Sequence, residues 1–386
     1  MELGPEALAL DADERPPAPA PDTPEPADGL IAAILAEAFE REATHVHLET
    51  AADGLRMRMR VAGRLTEERL LAGSAARTAL GRVGLAGLHV AGREVSVATL
   101  PTAGGDRVVL HLGARIRRGG ELEALGMRPA TVKALEPVLA RPEGLVLVAG
   151  APGSGRTTTL HALLRRLDTG ARNLLAIEER VDGEVAGVGR LAADPARGLT
   201  IAEGLRAILR QDPDVVLVGS IADRETAAMA VQAAQSGQLV LAGVEAPDAV
   251  GAIRLLRTLR IEPFQLASTL RAVIAQRLVK RLCGACRRPV QAQGSVSSLL
   301  GFDPGVVVYA PGGCDACGGT GFDGETGVFE GIHADPALRR LINDGGDEAI
   351  IARHAFVNAP NLGSAARALA REGVITPEEA VRVSRG

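Results

Sequence analysis

Tryptophan is absent from this 386-residue chain, tyrosine occurs once and phenylalanine six times, so few aromatic faces are present on which bases could stack. Lysine is almost missing too, occurring only at Lys133 and Lys280, and the net charge of −4 supplies no basic field for a polyanion. Both shortages argue against a nucleic-acid partner. Apolar runs such as LVLVAG and DVVLVG end well short of the roughly 18 residues a membrane span requires, and no charged start followed by an apolar core marks a signal peptide. The expected location is therefore the cytoplasm. Cysteine is scarce, four residues in all, and in that compartment disulfides are disfavoured.

The chain does have apolar content, 46% of its residues, in a length sufficient for two or three domains with sizeable cores. Residues 1–28, centred on PPAPAPDTPEPAD, are Pro-rich and acidic and are expected to be a disordered tail. From Gly29 to about Phe39 the apolar positions Leu30, Ile31, Ile34, Leu35 and Ala38 recur at helical spacing, with Asp28 as the expected N-cap. The segments THVHLET, GLRMRMRVAGRL, REVSVATLPT and DRVVLHL then alternate with period two between Gly and Pro breaks, which predicts antiparallel strands. This gives a small α+β domain over residues 29–117. From about residue 118 to 386 the pattern becomes apolar strand, turn and long helix, repeated, which predicts an α/β domain with a parallel sheet covered by helices.

Within that domain GLVLVAGAPGSGRTTTLHALLRRL reads as a buried strand (Leu145 to Val148), a loop and a helix running to about Leu167. Gly150, Gly153 and Gly155 let the backbone turn its N–H groups toward an anion, and the helix beginning near Arg156 adds its positive end. Gly150, Gly153, Ser154, Gly155, Arg156, Thr157 and Thr158 are thus candidates to hold the phosphates of ATP, with the Thr157 hydroxyl available to Mg²⁺. The lysine such loops carry is Arg156 here. Its charge is the same, but a planar guanidinium is not a compact ammonium. The chain's preference for arginine is enough to account for that one change.

The four cysteines form two pairs, Cys283 with Cys286 and Cys314 with Cys317. Two C-x-x-C knuckles joined by a loop are the pattern of a closed, structural Zn²⁺ site, and we expect a zinc-binding module over residues 281–330. His45 and His47 lie two apart on one strand face, but the sequence shows no third ligand beside them. Arg56, Arg58 and Arg60 form a stripe on another strand. PALRRLIND and LGSAARALAREGVITPEEAVRVS read as surface amphipathic helices packing on the core.

From Leu30 to just beyond the cysteines, and most closely over GLTIAEGLRAILRQDPDVVLVGSIADRETAAMAVQAAQSGQLVLAGVEAPDAVGAIRLLRTLRIEPFQLASTLRAVIAQRLVKRLCGAC, the chain resembles the bacterial type II secretion and type IV pilus assembly ATPases. The resemblance implies a RecA-like P-loop motor domain and ring hexamers in which the small domain of one subunit closes on the motor of the next. It also implies work beside inner-membrane platform proteins, the same four zinc cysteines, and subunit contacts for the arginine stripe. The long N-terminal recruitment domain of many relatives is expected to be absent.

The chain departs from the family where the family does chemistry. Two arginines that reach the nucleotide from the small domain fall at Ser96 and His111. The acidic box appears as IEERVDGE, keeping Glu178, Glu179 and Asp182. The acid closing the DPDVVLVG strand is Ser220, which cannot take a proton from water at neutral pH, and the arginine after it is Ala222. The two box histidines fall at Gln238 and Glu245. These replacements imply weak or absent hydrolysis in a ring-forming partner or regulator, either alone or in a mixed ring with an active relative. The alternative is a slow ATPase in which Glu178 or Glu179 takes over from the missing acid.

Overall fold

The computed structural model describes residues 26–385 apart from 52–53, 62–63, 66–68, 73–87, 91–92, 103–104, 113–120, 182–184, 293 and 304. The expected tail and Asp182 thus lie outside the described residues, the tail but for its last three. The chain divides into two compact units, Met1–Gly113 and Ala114–Gly386.

In the first unit helix α1 (Pro26–Glu40) is followed by strands β1 (Ala43–Ala51), β2 (Gly54–Val61), β3 (Arg64–Leu65), β4 (Arg69–Ala72), β5 (Leu88–Val90), β6 (Arg93–Thr102) and β7 (Gly105–Leu112). The helix begins three residues earlier than expected, so Asp28 lies inside it and is not its N-cap. The proline expected to be in the tail, Pro26, is its first residue, where a missing N–H costs nothing. The strands form an antiparallel sheet in the order β3-β2-β1-β7-β6-β5, with β4 also on β2. Period-two alternation sends Val46, Leu48, Leu55, Met57, Met59, Val108 and Leu110 to one face, in one core with Ile31, Ile34, Leu35 and Ala38 of α1.

The second unit runs through α2 (Pro129–Leu139), β8 (Gly144–Ala149), α3 (Arg156–Leu167), β9 (Leu174–Glu178), β10 (Val188–Ala192), α4 (Ile201–Ile208), β11 (Val215–Ile221), α5 (Arg224–Gln235) and β12 (Leu239–Val244). Then come α6 (Ala249–Thr258), α7 (Pro263–Thr269), β13 (Leu270–Leu282), β14 (Arg288–Gln291), α8 (Gly294–Leu300), β15 (Val307–Ala310) and β16 (Phe322–His333). Helices α9 (Pro336–Asn343), α10 (Glu348–Ala355), α11 (Leu362–Arg371) and α12 (Pro377–Ser384) close the chain.

The sheet order is β10-β9-β11-β12-β8-β13-β16. It is parallel until β16, which pairs antiparallel with β13, so the sheet is mixed where a parallel one was expected. Fully apolar strands such as β8 and β12 are buried along their whole length, as they must be with helices on both faces. One core holds α2 and α3, the other α4 to α7 and the C-terminal helices. Helix α5 starts at Arg224 because Asp223 caps it by accepting from the Thr226 amide. No helix among the described residues is long and apolar enough to cross a membrane.

Candidate phosphate loop and tetracysteine centre

The carboxyl ends of β8, β9, β11 and β12 lie side by side, and the loop after β8 opens there. Strand register fixes the neighbours: Ala149 pairs with Val244, and Val244 with Ile221. The Gly150 amide donates to the Val244 carbonyl at 3.3 Å, which brings Glu245 beside the loop. Two glycines permit this closeness, since a Cβ on Gly243 would meet the Gly219 carbonyl oxygen at 2.2 Å and one on Gly219 would lie 3.1 Å from the Glu178 Cα.

The loop is shaped for an anion. Gly153 and Gly155 take left-handed φ values of 76° and 88°, which side chains resist. Gly155 is the N-cap of α3 and no side chain caps it, so the amides of Arg156, Thr157 and Thr158 have no partner within the helix. The Gln276 side-chain amide holds the loop by donating to the Ser154 carbonyl at 2.7 Å. Ser154 Oγ and Gln276 Oε1 are buried without hydrogen-bond partners, a condition that a bound polar ligand relieves. A Cβ on Gly153 would meet nothing within 4 Å, so the cradle is open there, and the residues present fit a phosphate group.

Arg156 uses this loop differently from an outstretched lysine. Its Nη1 donates to the Gly150 carbonyl at 2.7 Å, bending the guanidinium back onto its own loop. Burial lowers its pKa, while the charges of Glu245 and then Glu179 oppose that shift. Ser220 lies within β11 near its carboxyl end, half-buried. Glu178, at the end of β9, is 3% exposed and both its oxygens are engaged. Oε1 lies 2.7 Å from His161 Nε2 of α3, and Oε2 accepts from Arg190 Nε of β10 at 2.8 Å. Burial pushes this carboxyl up, but the His161 hydrogen bond, the His161 charge and the Arg190 charge outweigh burial and hold it below the usual carboxylate range.

Gln238 is not part of this cluster. It precedes β12 and Glu245 follows it, so the length of the strand, about 20 Å at roughly 3.3 Å per residue, lies between them. The Gln238 carbonyl instead accepts from Gly144 at the amino end of β8. Ser96 and His111 are paired neighbours on β6 and β7 of the first unit. The His161–Glu178–Arg190 cluster escaped sequence reading because three separate elements supply it. A histidine among the Thr, Leu and Ala of the buried face of α3 was the available signal.

The four cysteine sulfurs all lie within 4.8 Å of one another. Cys283–Cys314, Cys286–Cys317 and Cys314–Cys317 are 4.0, 3.8 and 3.8 Å apart, close to the roughly 3.8 Å that tetrahedral zinc with about 2.3 Å bonds requires. Backbone amides donate to the sulfurs, Gly313 to Cys286 at 3.2 Å, and Cys314 and Gly321 to Cys317 at 3.3 and 3.1 Å. The amide bond from Cys314 and then that from Gly321 favour the Cys317 thiolate and bring its pKa down to about 6. The four thiols fit Zn²⁺, which would clamp the β14–β15 ribbon between the two knuckles.

These features define a P-loop α/β protein with a tetracysteine module on its sheet. The chain belongs to the Type II/IV secretion system protein family, whose sequence profile matches residues 22–382. It is 41% identical over 376 residues to the type II secretion system protein E of Pseudomonas aeruginosa, covering 92% of this chain and 75% of that protein. The type II secretion system ATPase E of Vibrio cholerae is 36% identical over 377 residues with the same coverage. Among solved structures, the Legionella pneumophila ATPase DotB superposes with a TM-score of 0.67 at 18% identity, covering 95% of this chain and 98% of its own. The pilus retraction motor PilT with bound ADP gives 0.66 at 20% identity, covering 92% and 97%. At that identity these two speak to the fold alone.

Proposed function

We propose that the protein is a nucleotide-binding subunit of a type II secretion or type IV pilus machine whose own ATP hydrolysis is weak or absent. It acts as a ring-forming partner or regulator, in a homo-hexamer or in a mixed ring with an active relative. The ring works against inner-membrane platform proteins, with this subunit cytoplasmic and peripheral to that membrane. The observation that carries the reading is the Arg156 guanidinium bonded to the Gly150 carbonyl, at the loop where a terminal phosphate needs a free cation. In this reading the amides of Arg156, Thr157 and Thr158 hold the phosphates, and the Thr157 hydroxyl is a ligand for Mg²⁺. A Mg²⁺–nucleotide would supply the reactive phosphoryl group. Ser220 offers no carboxylate to the metal or to water.

The rival reading, a slow ATPase with a substitute acid, keeps only one of its two candidates. The Glu178 oxygens are both engaged with His161 and Arg190, whereas Glu179 is exposed and near enough to Arg156 to act on it by charge. A phosphate-release assay run beside a fluorescent-nucleotide titration tests the proposal. Nucleotide binding with no turnover is the expected result. Turnover of about one per second, lost in Arg156→Ala, would overturn it.

A further inference from the structure

Away from the phosphate loop and the cysteines, one face of the small-domain sheet gathers three imidazoles. On β1 the alternation buries Val46 and Leu48 and turns His45, His47 and Glu49 to the other face. On β7 it buries Val108 and Leu110 and turns His111 the same way, directly across from His45 in the antiparallel register. The His45 and His111 rings meet edge to face with centroids 4.6 Å apart, and the His45 and His47 centroids are 6.1 Å apart. We propose that His45, His47 and His111 bind a divalent transition-metal cation.

Two histidines two apart on one strand, with a third opposite on the adjacent strand, bring three imidazoles to one face of the sheet. Three such ligands would leave a coordination position open. Bonds of about 2.0–2.1 Å would bring the nitrogens roughly 3.4 Å apart. Among the described residues only the four cysteines already bring their ligand atoms within 4.8 Å of one another, so an ion closes the histidine set by turning the rings. The backbone need not shift, since cross-strand Cβ separations of about 5 Å and same-face spacings of about 6.7 Å lie within reach of an imidazole.

Independent observations point to a ligand here. Both ring nitrogens of His47 are shielded from solvent without a hydrogen-bond partner, which buried polar atoms rarely tolerate. His45 Nδ1 lies 2.9 Å from Thr44 Oγ1, the kind of outer contact that orients a ligating ring. On β2, Arg60 stands opposite His45, Arg58 opposite His47 and Arg56 opposite Glu49, while on β7 Arg107 faces Glu49. Glu49 draws two of these guanidiniums to itself, Arg58 at 2.8 Å and Arg107 at 3.2 Å. Imidazole donors select an ion such as Zn²⁺, Ni²⁺ or Co²⁺ over those that prefer oxygen.

The test uses the full chain with its cysteine site first filled with Zn²⁺ and excess metal removed, titrated with Ni²⁺ by calorimetry and with Co²⁺ by absorption. The expected result is a second equivalent per chain with nitrogen-ligand bands. It is lost in His111→Ala and in His47→Ala, and weakened roughly 10–100-fold in Thr44→Val. These side chains lie off the core, and circular dichroism of each variant confirms folding. No second equivalent in the wild type overturns the proposal, as does one that survives both histidine changes. Thiolate charge-transfer bands, which would put the ion at the cysteines, also overturn it.

Discussion

Replacing Glu178 with alanine removes the carboxylate from a cluster buried beneath the phosphate loop. Its partners stay behind, the Arg190 side chain 6% exposed and that of His161 2% exposed. Removing one member of a buried ion pair costs about 3–5 kcal/mol, because the remaining charge loses that partner without regaining water. Glu178→Gln keeps the shape and one acceptor and should cost about 1–3 kcal/mol. The double change Glu178→Leu with Arg190→Met removes both charges and should recover most of the alanine loss. Urea midpoints of the three variants measure this ladder.

The pH dependence has a definite sign. Burial raises the Glu178 carboxyl, but the His161 hydrogen bond and the His161 and Arg190 charges outweigh it, so the folded pKa lies below the ordinary 4.5. Its stabilisation is complete above that value and is lost as the pH falls through the folded one. The lead of wild type over Glu178→Gln should therefore shrink on acidification below about 4.5. An alanine loss under about 1 kcal/mol, or a double variant worse than the alanine, would refute the reasoning.

Two further outcomes are expected. Glu330 on β16 accepts from the Ala249 amide and the Leu362 amide, both at 2.7 Å, tying the first residues of α6 and α11 to the sheet. Glu330→Gln has one acceptor oxygen for two amides and should lose roughly 2–3 kcal/mol in urea unfolding, and a change within about 0.5 kcal/mol would count against this role. Burial outweighs the two amide bonds and raises this carboxyl, so its contribution fades as the pH rises through the folded value and the deficit narrows in that direction. Chelating the tetracysteine metal should expose four thiols to a thiol reagent and lower the melting temperature by at least about 5 °C, equivalent to roughly 2 kcal/mol. With the Cys317 thiol near 6, metal release should steepen as the pH falls past that value. Four thiols reactive before chelation, with an unchanged melting curve, would show that the cysteines hold no ion.

The fold was legible where a local signal was strong. The strand, loop and helix around Gly150–Leu167 and the two C-x-x-C pairs could be read from spacing alone, because glycine conformation and thiolate geometry are set by a few adjacent residues. The antiparallel β16 was not legible, since its burial pattern matches that of a parallel edge strand and only pairing reveals direction. The start of α1 was misread because Asp28 is a good cap and Pro26 resembles the prolines before it, whereas Pro at a first helical position is also favoured. The histidine face illustrates the same limit. His45 and His47 could be paired by alternation, but His111 joins them only through a register that no spacing records.

The replacements themselves gain meaning from register. Read along the chain, Arg156, Gln238 and Glu245 are what the resemblance makes three separate departures from one family pattern. In the fold, Gln238 is at the far end of β12 and shares nothing with the loop. Glu245 follows Val244, which pairs with Ala149, and its charge acts on Arg156. A cation turned back onto its loop and an acid beside it form one electrostatic unit, in which the Glu245 charge opposes the effect of burial on Arg156. On the function proposed above, this paired charge and the hydroxyl of Ser220 are what a site that holds nucleotide without turning it over would retain.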